Sequence, residues 1–358
     1  MNKTDGKFCR KPFEHFEVHG GGKVSLCCYS WLPYWAGKVD ENHSVKEVFN
    51  SDMAQEIRRG IHDGSFRHCN HELCPLIQGN LLENKEDVKG PRMRKIINEN
   101  LVNGLDPDFY NLCYDESCNL SCPSCRKNKI LHTDGPLYEK KIKIQEQIIK
   151  EVFSGPHDRN CTVNVTGSGD PFGSKIFREL LFSIDGKDFP KVNINLQTNG
   201  VMFTQKYWDK MVKIQDNINS VIISFDASTE ETYNKVRRGG NWDALQKNME
   251  FISSLRERGY IRYLRIDFVM QSLNYKEAPG AVLLAKKYHA DRIFFSKIIN
   301  WGTFNNKEFK QQAIWMDDHP EHNLFLEILG DDKMRDKIVE LGNLTEYRLK
   351  SPEPKGGS

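Results

Sequence analysis

No apolar run in these 358 residues comes near the roughly 18 that a membrane-spanning helix needs, and mean hydropathy is −0.62. The opening stretch, MNKTDGKFCRKPFEH, lacks the apolar segment of a secretory signal, so a cytoplasmic chain without a membrane partner is expected. Charge of one sign is missing too: 51 Lys and Arg stand against 49 Asp and Glu. That balance supplies no basic field, and nucleic acid is not indicated as a partner. No internal repeat is present, which excludes repeat architectures. What remains is a globular composition, 38% hydrophobic and 28% charged, in a length that suits two domains or one large one with an appendage.

Cysteine, by contrast, is plentiful. Ten are present: Cys9, Cys27, Cys28, Cys69, Cys74, Cys113, Cys118, Cys122, Cys125 and Cys161. In a reducing compartment such clusters bind metal or do redox chemistry rather than form disulfides. Residues 1–85 read as a small cysteine-rich module with an amphipathic helix over Val45–His62, and a core this small often needs a metal staple. Residues 86–107 read as a linker with a helix near Met93–Leu101, and 301–358 as a tail ending in a disordered SPEPKGGS.

From 108 to 300 the pattern alternates strand and helix. Strands are expected at Phe109–Asp115, Thr162–Thr166, Val192–Gln197, Ser220–Asp226, Arg262–Gln271 and Arg292–Lys297. Helices are expected at Leu137–Phe153, Lys175–Ile184, Gln205–Ile214, Thr229–Val236, Trp242–Arg258 and Lys276–His289. Six such units predict an α/β fold with a parallel sheet. A doubly covered sheet has near-continuously apolar strands, but here Asn193, Asn195 and Gln197 alternate with Val192, Ile194 and Leu196. Tyr263, Arg265, Asp267 and Gln271 likewise share one face. A polar inner face favours a partial (β/α)6 TIM-like barrel with an open interior, because closed eight-stranded barrels fill theirs with branched apolar residues.

The loop after the first of these strands reads CNLSCPSC, placing Cys118, Cys122 and Cys125 together. Three thiolates so close wrap a metal or cluster and leave one coordination position open, as catalytic sites do; a zinc knuckle completed by another Cys or His is the alternative. This run resembles the radical S-adenosylmethionine (radical SAM) superfamily, and the similarity extends over roughly residues 108–297. The TGSGDP stretch, with Gly167, Ser168, Gly169 and Asp170, is similar to the family's Gly-Gly-Glu-Pro segment, with Asp170 where Glu is usual. QTNG offers Asn199, SFDAS offers Ser224 and Asp226, YNKVRRGG offers Arg237, and QSLN offers Gln271 and Asn274. The resemblance implies that these residues bind the cofactor and that Cys118, Cys122 and Cys125 hold a [4Fe-4S] cluster, which chelates S-adenosylmethionine. It further implies a 5′-deoxyadenosyl radical that abstracts hydrogen from a C–H bond, with electrons from a flavodoxin- or ferredoxin-type donor. Ser124 departs from the aromatic residue common before the third cysteine.

Cys9 is followed by twelve residues, Gly22, four residues and Cys27, with Cys69 and Cys74 later in RHCNHELCP. Four thiols are the count for a fully ligated cluster or a zinc site. The spacing is similar to twitch or SPASM-type modules, which implies an auxiliary [4Fe-4S] cluster, although such modules usually follow the barrel. Cys28 is the alternative to Cys27; His68 and His71 read as surface residues and HPEH (His319–His322) as a loop at a helix start. Cys161 is in phase with apolar neighbours and is expected to pack. Cys113 shares the polar face with Asn111 and Asp115, which makes it a candidate hydrogen donor to a substrate radical.

Three functions are compatible with these residues. The first is oxidation or epimerisation of a small polar substrate such as a sugar or aminocyclitol. It is motivated by the polar inner face and by the lack of a winged-helix leader-binding segment ahead of the barrel. The second is epimerisation or crosslinking of a ribosomal precursor peptide. The third is a non-catalytic zinc-binding protein.

Overall fold

The structure, a computed structural model, describes residues 4–155 and 157–351; the last residues of SPEPKGGS, from 352, lie outside them. Two compact units form. The first takes the residues up to Glu116 together with His132–Ser168 and Glu179–Ile194, and the second takes Ser117–Leu131, Gly169–Arg178 and the chain from Asn195.

In the first unit, β1 (His15–Val18) pairs antiparallel with β2 (Lys23–Ser25), which pairs antiparallel with β3 (Gly37–Lys38). On its other side β1 runs parallel to β4 (Phe109–Leu112), and β4 parallel to β5 (Cys161–Val165). A further strand, β6 (Val192–Thr198), begins in the first unit and ends in the second. In the second unit β7 (Ile218–Ser224), β8 (Tyr263–Met270), β9 (Arg292–Lys297) and the short β10 (Val339–Glu340) are all parallel. The fold is therefore of the α/β class with a mostly parallel sheet, and β4 to β9 are the six expected strands.

The period-two pattern explains their faces. Cys161, Val163 and Val165 on β5 are buried, as are Val192, Ile194 and Leu196 on β6 and Leu264, Ile266, Phe268 and Met270 on β8. The intervening Asn164, Asn193, Asn195, Arg265 and Asp267 are only half-buried. On β8 the buried face packs on α3 (Trp242–Glu257) and α4 (Ala278–Lys287), and the other face carries polar groups.

Two expectations differ in detail. Instead of one helix over Val45–His62 there are two, α1 (Val45–Phe49) and α2 (Asp52–His62). Ser44 caps α1 in a capping box with Glu47, and Ser51 starts a second cap on the Ala54 N–H. Between them the Asn50 side chain bonds the backbone N–H and carbonyl of Leu105, holding the break open. The short strands β1, β2, β3 and β10 are not among the expected elements, because strands this short take their shape from the neighbour they pair with.

Gly200, just after β6, has φ +79°, and a Cβ there would lie 2.7 Å from Leu245 Cδ1. Gly200→Ala is expected to lower stability by about 2–3 kcal/mol, from left-handed backbone strain and overpacking. A urea titration shows the shift, and an unchanged midpoint would contradict the packing described.

Candidate active site

In the second unit, the loop after β4 carries Cys118 and Cys122 buried and Cys125 exposed. Its ends are tied by backbone bonds from Cys118 N–H to the Ile130 carbonyl and from Ser121 N–H to that of Arg238. Each sulfur accepts from nitrogen donors. Cys118 Sγ accepts from the Leu120 N–H at 3.4 Å and the Asn199 amide at 3.8 Å. Cys122 Sγ accepts from Arg237 at 3.8 Å, and Cys125 Sγ from Arg126 at 3.5 Å. Burial pushes the Cys118 thiol up to about 12, with Asp170 adding to it. Burial raises Cys122 as well, against the pull of Arg237. As bare thiols these groups are neutral and gain little from such donors. Three sulfurs on one loop, two beside guanidiniums, suit an anionic sulfur-ligated centre.

Asp170 is buried and its carboxylate is saturated. Oδ1 accepts the N–H groups of Phe172 at 2.9 Å and Gly173 at 2.8 Å. Oδ2 accepts the Thr198 hydroxyl and the Asn199 N–H, both at 2.8 Å. Burial raises this carboxyl above its ordinary value, against the four donors that favour its charge. Asp170 therefore joins its loop to the end of β6. That in turn sets Asn199, whose amide reaches Asn119 at 2.8 Å as well as Cys118. Asn119 is not singled out by the sequence reading, although it lies inside the cysteine motif; Thr198 belongs to the QTNG stretch.

At the end of β7, Ser224 is half-buried and Asp226 has the left-handed φ of +59°. Its Oδ2 pairs with Arg237 at 2.8 Å and its Oδ1 accepts the Val269 N–H at 2.7 Å. Burial works against the Arg237 charge, but Asp226 and Cys122 together hold its pKa above the ordinary value. Asn274 spends its side chain on backbone, donating to the carbonyls of Asp226 and Val269 and accepting the Gln271 N–H. Gln271 is buried, and its Nε2 finds no partner among the described residues.

In the first unit, Ser168 donates from Oγ to the carbonyls of Cys113 and Asp115 and Gly167 is exposed; Gly169, in the second unit, is half-buried. The buried Cys113 thiol donates to Glu17 Oε1 at 3.8 Å, and burial keeps it protonated. Asp115, Glu116 and His132 form a ligand-type trio, but the Lys141 ammonium lies between two of them, 3.5 Å from Asp115 and 2.6 Å from Glu116. It already balances those charges as an ion pair.

The same unit gathers the early cysteines. Cys9 feels the charge of Cys74, Cys27 that of Cys9 and Cys69, and Cys69 that of Cys9 and Cys74. Burial raises Cys9 to about 11 and Cys69 to about 12. Gly22 has φ +82°, and a Cβ there would meet the Val39 carbonyl at 2.2 Å, so this position between Cys9 and Cys27 requires glycine. Asn70 shapes the last loop by accepting the N–H groups of Glu72 and Leu73, while Cys74 N–H bonds the Asn70 carbonyl. His71 is engaged with the Phe66 carbonyl and His68 packs edge-on against Tyr34.

Two family models match these two regions. The model of the radical SAM superfamily covers residues 116–277, and that of the SPASM iron–sulfur cluster-binding domain covers residues 9–75, with Cys9 and Cys74 at its ends. The chain carries a radical SAM domain over the first of these ranges and a SPASM domain over the second. The radical SAM fold, a partial TIM barrel, binds a [4Fe-4S] cluster and S-adenosylmethionine, and SPASM domains bind auxiliary iron–sulfur clusters. Among curated proteins the chain is 25% identical over 187 residues to a probable GTP 3′,8-cyclase of Methanococcus maripaludis strain C6. The match covers 52% of this chain and 58% of that protein, so the chain spans less than two thirds of the relative's length. Solved structures with some likeness include SuiB of Streptococcus suis bound to precursor peptide SuiA, at 14% identity and TM-score 0.39, covering 71% of this chain and 55% of that one. Another is anSMEcpe with bound AdoMet, at 16% identity and TM-score 0.40, covering 68% and 66%. No helix among the described residues is long and apolar enough to cross a membrane.

Asp170→Asn is expected to cost about 2–4 kcal/mol, because an amide NH2 cannot accept the bonds now made to one of the two oxygens. Urea unfolding of the apo chain measures this, and a loss below about 0.5 kcal/mol would contradict the four-donor arrangement.

Proposed function

We propose that Cys118, Cys122 and Cys125 ligate the catalytic [4Fe-4S] cluster and that Cys9, Cys27, Cys69 and Cys74 ligate the auxiliary one. When bound, the reduced cluster and S-adenosylmethionine supply a 5′-deoxyadenosyl radical able to take hydrogen from an unactivated C–H bond. The chain's own residues bind and orient. Arg237, held charged by Asp226, takes a carboxylate; the backbone carbonyls of Gly167, Ser168 and Gly169 take an ammonium group; Asn199, Ser224 and Gln271 supply polar contacts. Asp170 and Asn274 act as scaffold, fixing the loops that carry those contacts. A flavodoxin- or ferredoxin-type protein provides the electron.

The substrate of this reading is a small polar molecule, a sugar, aminocyclitol or similar, which is oxidised or epimerised. The observation that carries it is the set of three donor-supported sulfurs beside the Arg237–Asp226 pair, on strands whose open face is polar. Cys113 is proposed as the thiol that returns a hydrogen atom in an epimerisation, the thiyl radical left behind being restored to the thiol by one electron from the same flavodoxin- or ferredoxin-type donor and one proton from solvent. Full epimerising turnover by Cys113→Ala would dispose of that role.

After anaerobic reconstitution the chain is expected to be brown, to contain iron and sulfide, and to release 5′-deoxyadenosine on reduction. Cys122→Ala is expected to abolish that release. A colourless protein that leaves S-adenosylmethionine intact would refute the ligand assignment. Deuterium appearing in 5′-deoxyadenosine from labelled sugars or aminocyclitols, and not from labelled precursor peptides, supports the substrate class. The converse result would make the enzyme peptide-modifying.

A further inference from the structure

The function proposed above gives the Cys113 thiol a reaction, and that reaction needs a route for a proton. The residue is only 5% exposed, so water does not serve it directly. Its neighbours come from β1, which runs parallel to β4 with His15 opposite Phe109 and Glu17 opposite Asn111. The Cys113 N–H continues this ladder by bonding the Val18 carbonyl. The period of two therefore puts His15, Glu17 and His19 on the face that carries Asn111 and Cys113.

Glu17 is the hub of this group. Its Oε1 accepts the Cys113 thiol at 3.8 Å and lies 3.5 Å from His19 Nε2. Its Oε2 meets His15 Nε2 at 3.2 Å, and the His15 ring stacks on Phe109 with centroids 5.1 Å apart, which holds the carboxylate in place. His19 is held in turn by the buried Ser25 hydroxyl at 2.8 Å and by an edge-on contact with Trp35. The side chains of Glu17 and His19 are 18% and 26% exposed, so both reach water where Cys113 does not. A single carboxylate oxygen thus stands between a sealed thiol and an imidazole in contact with solvent.

The resting protonation states suit this arrangement. Burial works to raise the Glu17 pKa, but the bond to His15, the charges of His19 and His15 and the bond to Asn111 bring it below the ordinary value. Burial lowers His19, against the pull of Glu17. Burial, with the charge of Glu17 added, keeps Cys113 protonated. At rest the carboxylate is ionised and the thiol holds its hydrogen.

We propose that Glu17 carries the proton that restores Cys113 after each hydrogen transfer, receiving it from His19. This rests on the hydrogen-donor role of Cys113 and adds the pathway that role requires. Giving a hydrogen atom to a substrate radical leaves Cys113 as a thiyl radical, and one electron from the flavodoxin- or ferredoxin-type donor makes it a thiolate. A buried thiolate facing a carboxylate is unfavourable, which draws a proton inward. His19, protonated from solvent, passes its proton to Glu17 Oε1, which hands it to the sulfur.

The test follows hydrogen exchange at the sulfur and needs no substrate. The anaerobically reconstituted holoenzyme is moved from H2O into D2O, and the S–H infrared band that Cys113→Ala removes is timed as it converts to S–D. Glu17→Gln, which keeps the shape and loses the proton-accepting charge, is expected to slow this conversion about a hundredfold, the lower range of what a positioned proton carrier contributes. His19→Gln is expected to slow it as well. A merely structural role would move the readout the other way, since a loosened strand admits water and speeds exchange. Unchanged or faster exchange in Glu17→Gln would overturn the proposal; should that variant fail to fold, His19→Gln decides by the same rule. Full epimerising turnover by Cys113→Ala removes the hydrogen-donor role without altering these exchange rates, so the two failures are told apart.

Discussion

Four hydrogen bonds to one buried carboxylate hold the second unit's site in register. Asp170 takes two N–H groups from its own loop and two donors from the end of β6. Its burial is costly, and only this complete set of partners compensates. With the loop and strand joined, Asn199 is placed to reach both Asn119 and Cys118. The geometry around the first cysteine thus depends on a residue that touches no sulfur.

Asp226 makes an instructive contrast. It is a second buried aspartate on a neighbouring strand end, yet its partners are a guanidinium and a single backbone N–H. Asp170 is a staple and has nothing left to offer a ligand. Asp226 keeps Arg237 charged beside Cys122 and so shapes the electrostatics of the sulfur loop. The division follows from the donors each carboxylate meets and not from the side chain itself. Sulfur shows the same dependence on surroundings: the Cys118 and Cys122 sulfurs sit among directed N–H donors, while Cys161 is buried at the start of β5 in phase with Val163 and Val165.

Much of the parallel sheet was legible because its signals are local. Alternation of Asn with Val, Ile and Leu over Val192–Gln197 places β6 within a residue of its observed ends. The cysteine spacings likewise pick out both candidate clusters, since a loop can wrap a metal only over a short stretch of chain. Elements whose signal was not local escaped notice. β1 is four residues long and exists because β4 lies beside it, and the break after α1 is held by Leu105, distant in sequence.

From sequence alone came the period of the strands and the grouping of Cys118, Cys122 and Cys125, both set within a few residues, and the glycine between Cys9 and Cys27, whose need the Val39 carbonyl explains. Tertiary structure decided what each polar side chain does. Asn274 turned out to be tied to backbone, Asp170 to be saturated, and Asp226 to hold Arg237 beside Cys122. The physical reason is that a hydrogen bond's worth depends on its partner, and these partners come from segments that meet only when the strands assemble.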